Sequence, residues 1–112
     1  MKKLFLSADI EGTCGIASWD ETEKKCADYA PFARQMSREV AAACEGAIRA
    51  GADEILVKDA HESARNLLME DLPEQAILYR GWGRDPYAMM AGLDADFDGA
   101  MFTGYHAAAG WD

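Results

Sequence analysis

Short apolar runs alternate with amphipathic and polar stretches along this chain, and the alternation sets the expected fold. Lys3–Ala8, Glu54–Lys58, Ala76–Tyr79 and Gly99–Thr103 are brief, with apolar centres and β-compatible residues, which predicts four strands. Between the first two, Tyr29, Phe32, Met36, Val40, Ala43, Ala47 and Ile48 recur at spacings of three and four, predicting a long helix with one apolar stripe. Asp28 is the expected N-cap, Pro31 falls in the first turn where its missing N–H does no harm, and Gly51 closes the helix. The stretch from Gly12 through the acidic run Asp20–Glu23 reads as a loop, Asn66–Met69 as a helical turn, Gly81-Trp82-Gly83 as a turn and Pro86–Gly92 as a short helix. Strands alternating with helices predict an α/β fold with a mainly parallel sheet and flanking helices, in a single domain over residues 1–112.

Three polar clusters sit where three of these runs end: Asp9-Ile10-Glu11-Gly12, Asp59-Ala60-His61-Glu62 and Tyr105-His106. In open α/β sheets the carboxyl ends of the strands border one crevice, so residues distant in sequence can converge there on one ligand. Asp9 and Glu11 are two apart, which on an extended strand end points both carboxylates to the same side. With His61 and His106, both histidines of the chain, they make a ligand set suited to a divalent transition metal, zinc being favoured. A carboxylate shared by two ions would hold a pair about 3.5–4 Å apart, an arrangement that activates water for hydrolysis. Gly12 would let the loop turn sharply beside such a metal. Taken singly, an Asp-x-Glu after a strand is more often a cap or a solvated loop, and a strand-end His is more often a loop residue. On placement alone both readings stay open.

Asp59 has two roles open to it, as a metal ligand or as a second-sphere residue that orients an imidazole or caps the following turn; the second is favoured. Cys14 reads as a small apolar residue in a loop near the site. Asp94, Asp96 and Asp98 alternate as calcium ligands do, but lack the glycine and distant glutamate of an EF-hand, so they read as a solvated loop. Trp82, Trp111 and Met89-Met90 read as packing or interface residues. Nothing resembles a dinucleotide fingerprint, a P-loop or a serine elbow.

Charge narrows the partners. The formal net charge is −9, and Lys24-Lys25 is the one interior basic pair, flanked by Glu21 and Glu23. No basic stripe is legible in the sequence, which argues against nucleic acid and anionic membrane surfaces. The opening Met-Lys-Lys-Leu-Phe-Leu breaks at Asp9 and Glu11, too early for a secretory or membrane-spanning segment. Cys14, Cys26 and Cys44 are odd in number and widely spaced, so no disulfide framework is expected and a reduced, cytoplasmic setting is.

Ser7-Ala8-Asp9-Ile10-Glu11-Gly12-Thr13-Cys14-Gly15, Val57-Lys58-Asp59-Ala60-His61, Asn66-Leu67, Leu93-Asp94 and Thr103-Gly104-Tyr105-His106-Ala107 together resemble successive signatures of the zinc-dependent D-aminopeptidases of the DppA type, peptidase family M55. The resemblance implies a hydrolase that releases N-terminal D-amino acids from short peptides. It also implies two zinc ions in the complete enzyme and a cytoplasmic, ring-shaped homo-oligomer. Carried over, Asp9 resembles the carboxylate between the ions, Glu11 and His61 ligands of one zinc, His106 a ligand of the other, and Asp59 a motif residue without a ligand role. The family's remaining glutamate ligand and catalytic histidine lie downstream of the Gly-Tyr-His segment. The chain is therefore expected to be the N-terminal portion of a larger α/β fold, with no residue to assign as catalytic. A metal-binding relative without catalysis, or an α/β interaction module, are the alternatives.

Overall fold

The computed structural model describes residues 1–83 and 87–107. Four strands form one fully parallel sheet: β1 (Lys3–Ala8), β2 (Glu54–Asp59), β3 (Ala76–Tyr79) and β4 (Gly99–Thr103), in the spatial order β3-β2-β1-β4. The register pairs Leu6 with Val57 on one side and with Met101 on the other. The expected α/β class with a parallel sheet is what the chain adopts. Because the path steps outward from β1 to β3 and then returns to the opposite side of β1, the order reverses between β1 and β4. Such a reversal leaves a crevice at the carboxyl ends of the strands.

Helix α1 (Tyr29–Arg49) crosses from β1 to β2 and packs Tyr29, Met36, Val40, Cys44 and Ala47 on Leu6, Ala8, Ile55 and Val57. The stripe is wider than the spacing predicted, since Ala33 and Ser37 are also buried while Phe32, Ala43 and Ile48 lie at its margin. Asp28 does occupy the N-cap, but in helical conformation and with no capping hydrogen bond from its side chain. The helix ends at Arg49, and Gly51 follows with φ of +108°, the left-handed geometry that glycine takes without strain.

Three expectations shift. Part of the acidic loop is ordered as a 3-10 turn at Trp19–Thr22, closed by a capping box in which Ser18 and Glu21 satisfy each other's backbone amides. The helical turn expected at Asn66–Met69 falls at Met69–Asp71, because the amides of Asn66 and Leu67 are taken by the Asp59 carboxylate instead. Ala88–Met90 forms a 3-10 turn inside the helix expected from Pro86, a residue that lies, like Trp111, outside those described.

The second face of the sheet carries Phe5 against the edge of Phe97 and, unexpectedly for a central strand, a fully buried Lys58. Its ammonium donates to the carbonyls of Asp59 and Gly81, both at 2.8 Å, and sits 4.6 and 4.1 Å from the ring centres of Tyr79 and Trp82. Burial pushes its pKa down, with the Asp59 charge opposing.

Ser37 ties the helix to the loop beyond β2: its hydroxyl donates to Ala33 O and accepts from Leu68 N–H at 2.9 Å. Ser37→Ala strands that amide in a partly buried place, so denaturant unfolding should show a loss of about 1–3 kcal/mol. A change below a few tenths of a kcal/mol would mean the loop is held elsewhere.

Candidate metal centre

The carboxyl ends of β1, β2 and β4 meet, and the backbone shows how. Beyond β1 the Asp9 amide continues the ladder to Thr103 O, and Gly12 N–H reaches Gly104 O at 2.7 Å. A Cβ on Gly12 would lie 2.3 Å from Tyr105 O, and one on Gly104 would lie 2.0 Å from Asp9 O. Both glycines are therefore there to let two strand-end loops touch, which for Gly12 replaces the sharp-turn role expected from sequence. Their contact brings the Gly-Tyr-His segment against Asp9.

Asp9, Glu11 and His61 gather with one ligating atom each inside 4.8 Å. His61 Nδ1 lies 3.1 Å from Asp9 Oδ1 and 3.3 Å from Glu11 Oε1. Its Nε2 lies 2.6 Å from the carbonyl of Thr22. With Nε2–H donated to that carbonyl, Nδ1 is the nitrogen that faces the two carboxylates, where it can hold either a proton or a metal. The fourth candidate stands apart: His106 is 56% exposed on its side chain, and its Nε2 is 3.9 Å from Asp9 Oδ2. The two oxygens of Asp9 thus face different histidines.

Three ionisable groups in contact, Asp9 and His61 buried and Glu11 half-buried, perturb one another. Burial disfavours the charged form of His61, but the hydrogen bonds to Asp9 and Thr22 and the charges of Glu11 and Asp9 outweigh it, raising its pKa to about 9. Burial also works against the Asp9 carboxylate, yet hydrogen bonds from His61, Glu11 and Ile10 N–H hold its pKa below the ordinary range. Glu11 is pushed up by burial and by the neighbouring Asp9 charge. Glu11 Oε1 is buried with no hydrogen bond meeting the usual geometry. A dication suits this arrangement: two converging carboxylates, one imidazole nitrogen facing both, and a Glu11 oxygen that forms no well-aligned hydrogen bond.

Asp59 does not touch His61. Its carboxylate accepts from Asn66 N–H, Leu67 N–H and Asn66 Nδ2 at 2.6 to 2.9 Å, the turn-capping alternative of the two sequence expectations. Asn66 in turn donates to His61 O and accepts from Tyr29 OH, so Asp59 fixes the loop that carries His61. The group that orients the imidazole is the Thr22 carbonyl, which the sequence reading missed because a backbone oxygen leaves no trace in residue type. Cys14 lies exposed in the loop after Gly12, and its N–H donates to the Glu39 carboxylate. Asp94 accepts from Asp96 N–H within its own turn, and Asp98 accepts from Lys3 N–H at the start of β1. Beside the metal centre opens a cavity of about 470 Å³ bounded by Glu11, His106, Ile16, Trp19 and Tyr105.

Comparison with known proteins follows this geometry. The family model for peptidase M55, D-aminopeptidase, matches residues 1–112. A curated D-aminopeptidase of Bacillus subtilis (strain 168) is 36% identical over 107 residues, covering 96% of this chain and 39% of that protein. Among solved structures, the Zn-dependent D-aminopeptidase DppA from Bacillus subtilis, described as a self-compartmentalizing protease, superposes with a TM-score of 0.91 at 35% identity, over 96% of this chain and 39% of that one. The chain therefore spans about two fifths of the length of these relatives.

Two substitutions probe the architecture. Asp59→Ala strands two buried amides and frees Asn66, and should lower stability in denaturant by about 3 kcal/mol or more. Gly12→Ala drives a methyl into Tyr105 O, and calorimetry should show a loss of about 1–3 kcal/mol. An unchanged melting temperature in either variant would contradict the contacts described.

Proposed function

This chain belongs to peptidase family M55, the D-aminopeptidases, and on that premise we propose that it forms the amino-terminal part of a zinc-dependent aminopeptidase releasing D-amino acids from short peptides. The observation that carries the proposal is the convergence of Asp9, Glu11 and His61 around one point, with His61 oriented by a carbonyl on its far side. In this reading Glu11 and His61 would hold one zinc ion, His106 would contribute to a second, and Asp9 would serve both; the divergence of its two oxygens toward His61 and His106 supports that role. Zinc at this position supplies Lewis acidity, which polarises a scissile carbonyl and lowers the pKa of water.

The protein's own groups act around that chemistry. The Thr22 carbonyl keeps the His61 ring in one tautomer and one orientation, and the Asp59–Asn66–Tyr29 chain keeps its loop from drifting. The adjoining cavity, with Ile16 and Trp19 as apolar walls and Glu11 and His106 at its metal end, has room for the terminal residue's side chain. A cytoplasmic setting and assembly with further copies belong to the same proposal. Three free cysteines support the first, and the self-compartmentalizing habit of the similar structure supports the second.

Metal content decides the premise. The 112-residue chain, purified and supplied with zinc, should retain about one ion per chain after dialysis, and Asp9→Asn or His61→Ala should weaken retention by about a hundredfold or more. His106→Ala should leave the first ion in place. In the protein that carries this chain, the same Asp9 and His61 substitutions should abolish release of D-alanine from D-alanyl peptides. Zinc bound equally well without His61 would overturn the assignment, and hydrolysis confined to L-peptides would overturn the substrate class.

A further inference from the structure

A cationic groove lies on the far side of the loop that carries His61. Lys24, Arg34, Arg65 and Arg80 line one hollow of about 390 Å³, floored by Ala33, Leu68 and Met69, with Glu70 as its one carboxylate. At one end Lys24 and Arg65 pass into a recess that adds Lys25, together with Glu23 and Glu62. At the other, Arg34 leads to Arg38. Ion pairs among the described residues, taken to 4.0 Å, all involve His61 or His106, so none of these cations is paired. That is unexpected in a chain with 20 acidic residues against 11 lysines and arginines. Four like charges around one hollow, against the single carboxylate of Glu70, repel one another and leave it with a local positive excess.

We propose that this groove binds a small organic polyanion, a molecule bearing two or more carboxylate or phosphate groups. Three guanidinium groups offer planar, paired donors that match either oxyanion, and Lys24 adds a point charge. Lys24 is already tethered, its ammonium donating to Arg65 O at 3.2 Å. The floor is fixed before a ligand arrives: Tyr29 OH bonds Asn66 Oδ1 at 2.5 Å, and Asn66 is held by Asp59 and His61 O. A preformed floor lowers the ordering cost of binding. Met69, 63% exposed, and Leu68 give apolar contact to the carbon skeleton of the ligand, and the volume falls within the range of small-molecule sites, about 300–1,000 Å³. The groove needs no metal, so it stands or falls apart from the zinc proposal.

The test is titration of the zinc-free chain with inorganic pyrophosphate and, separately, citrate, followed by backbone amide NMR in about 20 mM salt. Saturable shifts centred on Lys24, Arg34, Arg65–Glu70 and Arg80 are expected. Affinity should fall at least about tenfold in Arg34→Gln/Arg65→Gln, and steeply with added salt. The tighter of the two probes identifies phosphate or carboxylate as the recognised group. Absence of saturation by about 10 mM with both probes, equal binding by the double variant, or shifts centred on His61 and His106 would each overturn the proposal. Both arginines are exposed, so the double variant should keep the parent's melting temperature; a second pair, Lys24→Gln/Arg80→Gln, provides the same readout.

Discussion

Two carboxylates and an imidazole held in contact away from water are the constraint around which this molecule is arranged. Desolvating Asp9, Glu11 and His61 is unfavourable for each charged form, and their mutual contacts offset that cost only while the geometry is kept. The surrounding structure supplies the rigidity. Asp9 leaves a central strand, His61 leaves its parallel neighbour, and the glycines at 12 and 104 let the β4 loop close over Asp9 without a Cβ between the backbones. A cation is the natural complement to a cluster that otherwise depends on a shared proton.

Support for that cluster passes through a short series of buried polar contacts. Asp59 binds the amides of Asn66 and Leu67, Asn66 binds His61 O and Tyr29 OH, and Ser37 of α1 takes the next free amide at Leu68. Irregular backbone between β2 and β3 is thereby fixed to strand and helix alike, satisfying donors that would otherwise be buried without partners. Lys58 fulfils a related duty on the other face, tying the Gly81 carbonyl to β2 beneath two aromatic rings. Trp82 completes that link by donating to the carbonyl of Glu62, one residue beyond His61.

Much of this was legible before any coordinates. The four strands and the helix follow from runs and spacings that bury one face, a local property, and they appear where the spacing puts them. Asp9, Glu11 and His61 were legible because each follows a strand of a parallel sheet, and topology alone then brings them to one crevice. Less legible were features that depend on competition for a backbone amide: the turn expected at Asn66–Met69 yields to Asp59, and the acidic run orders through the Ser18–Glu21 box. Cys14 was read as a small apolar residue in a loop near the site, and it does lie in that loop, exposed.

The sequence by itself determined the parallel α/β class, the family and the residue types available to a metal, since periodicity and motif order are properties of neighbours along the chain. Only the tertiary structure decided which nitrogen of His61 faces the carboxylates, that a Thr22 carbonyl orients it, and that Asp59 serves the loop instead of the ring. It also decided that Lys24, Arg34, Arg65 and Arg80, which form no stripe in the sequence, share one groove. Each of these is a contact between segments far apart in the chain, set by how strands stack and loops cross, and no local pattern encodes the distance between them.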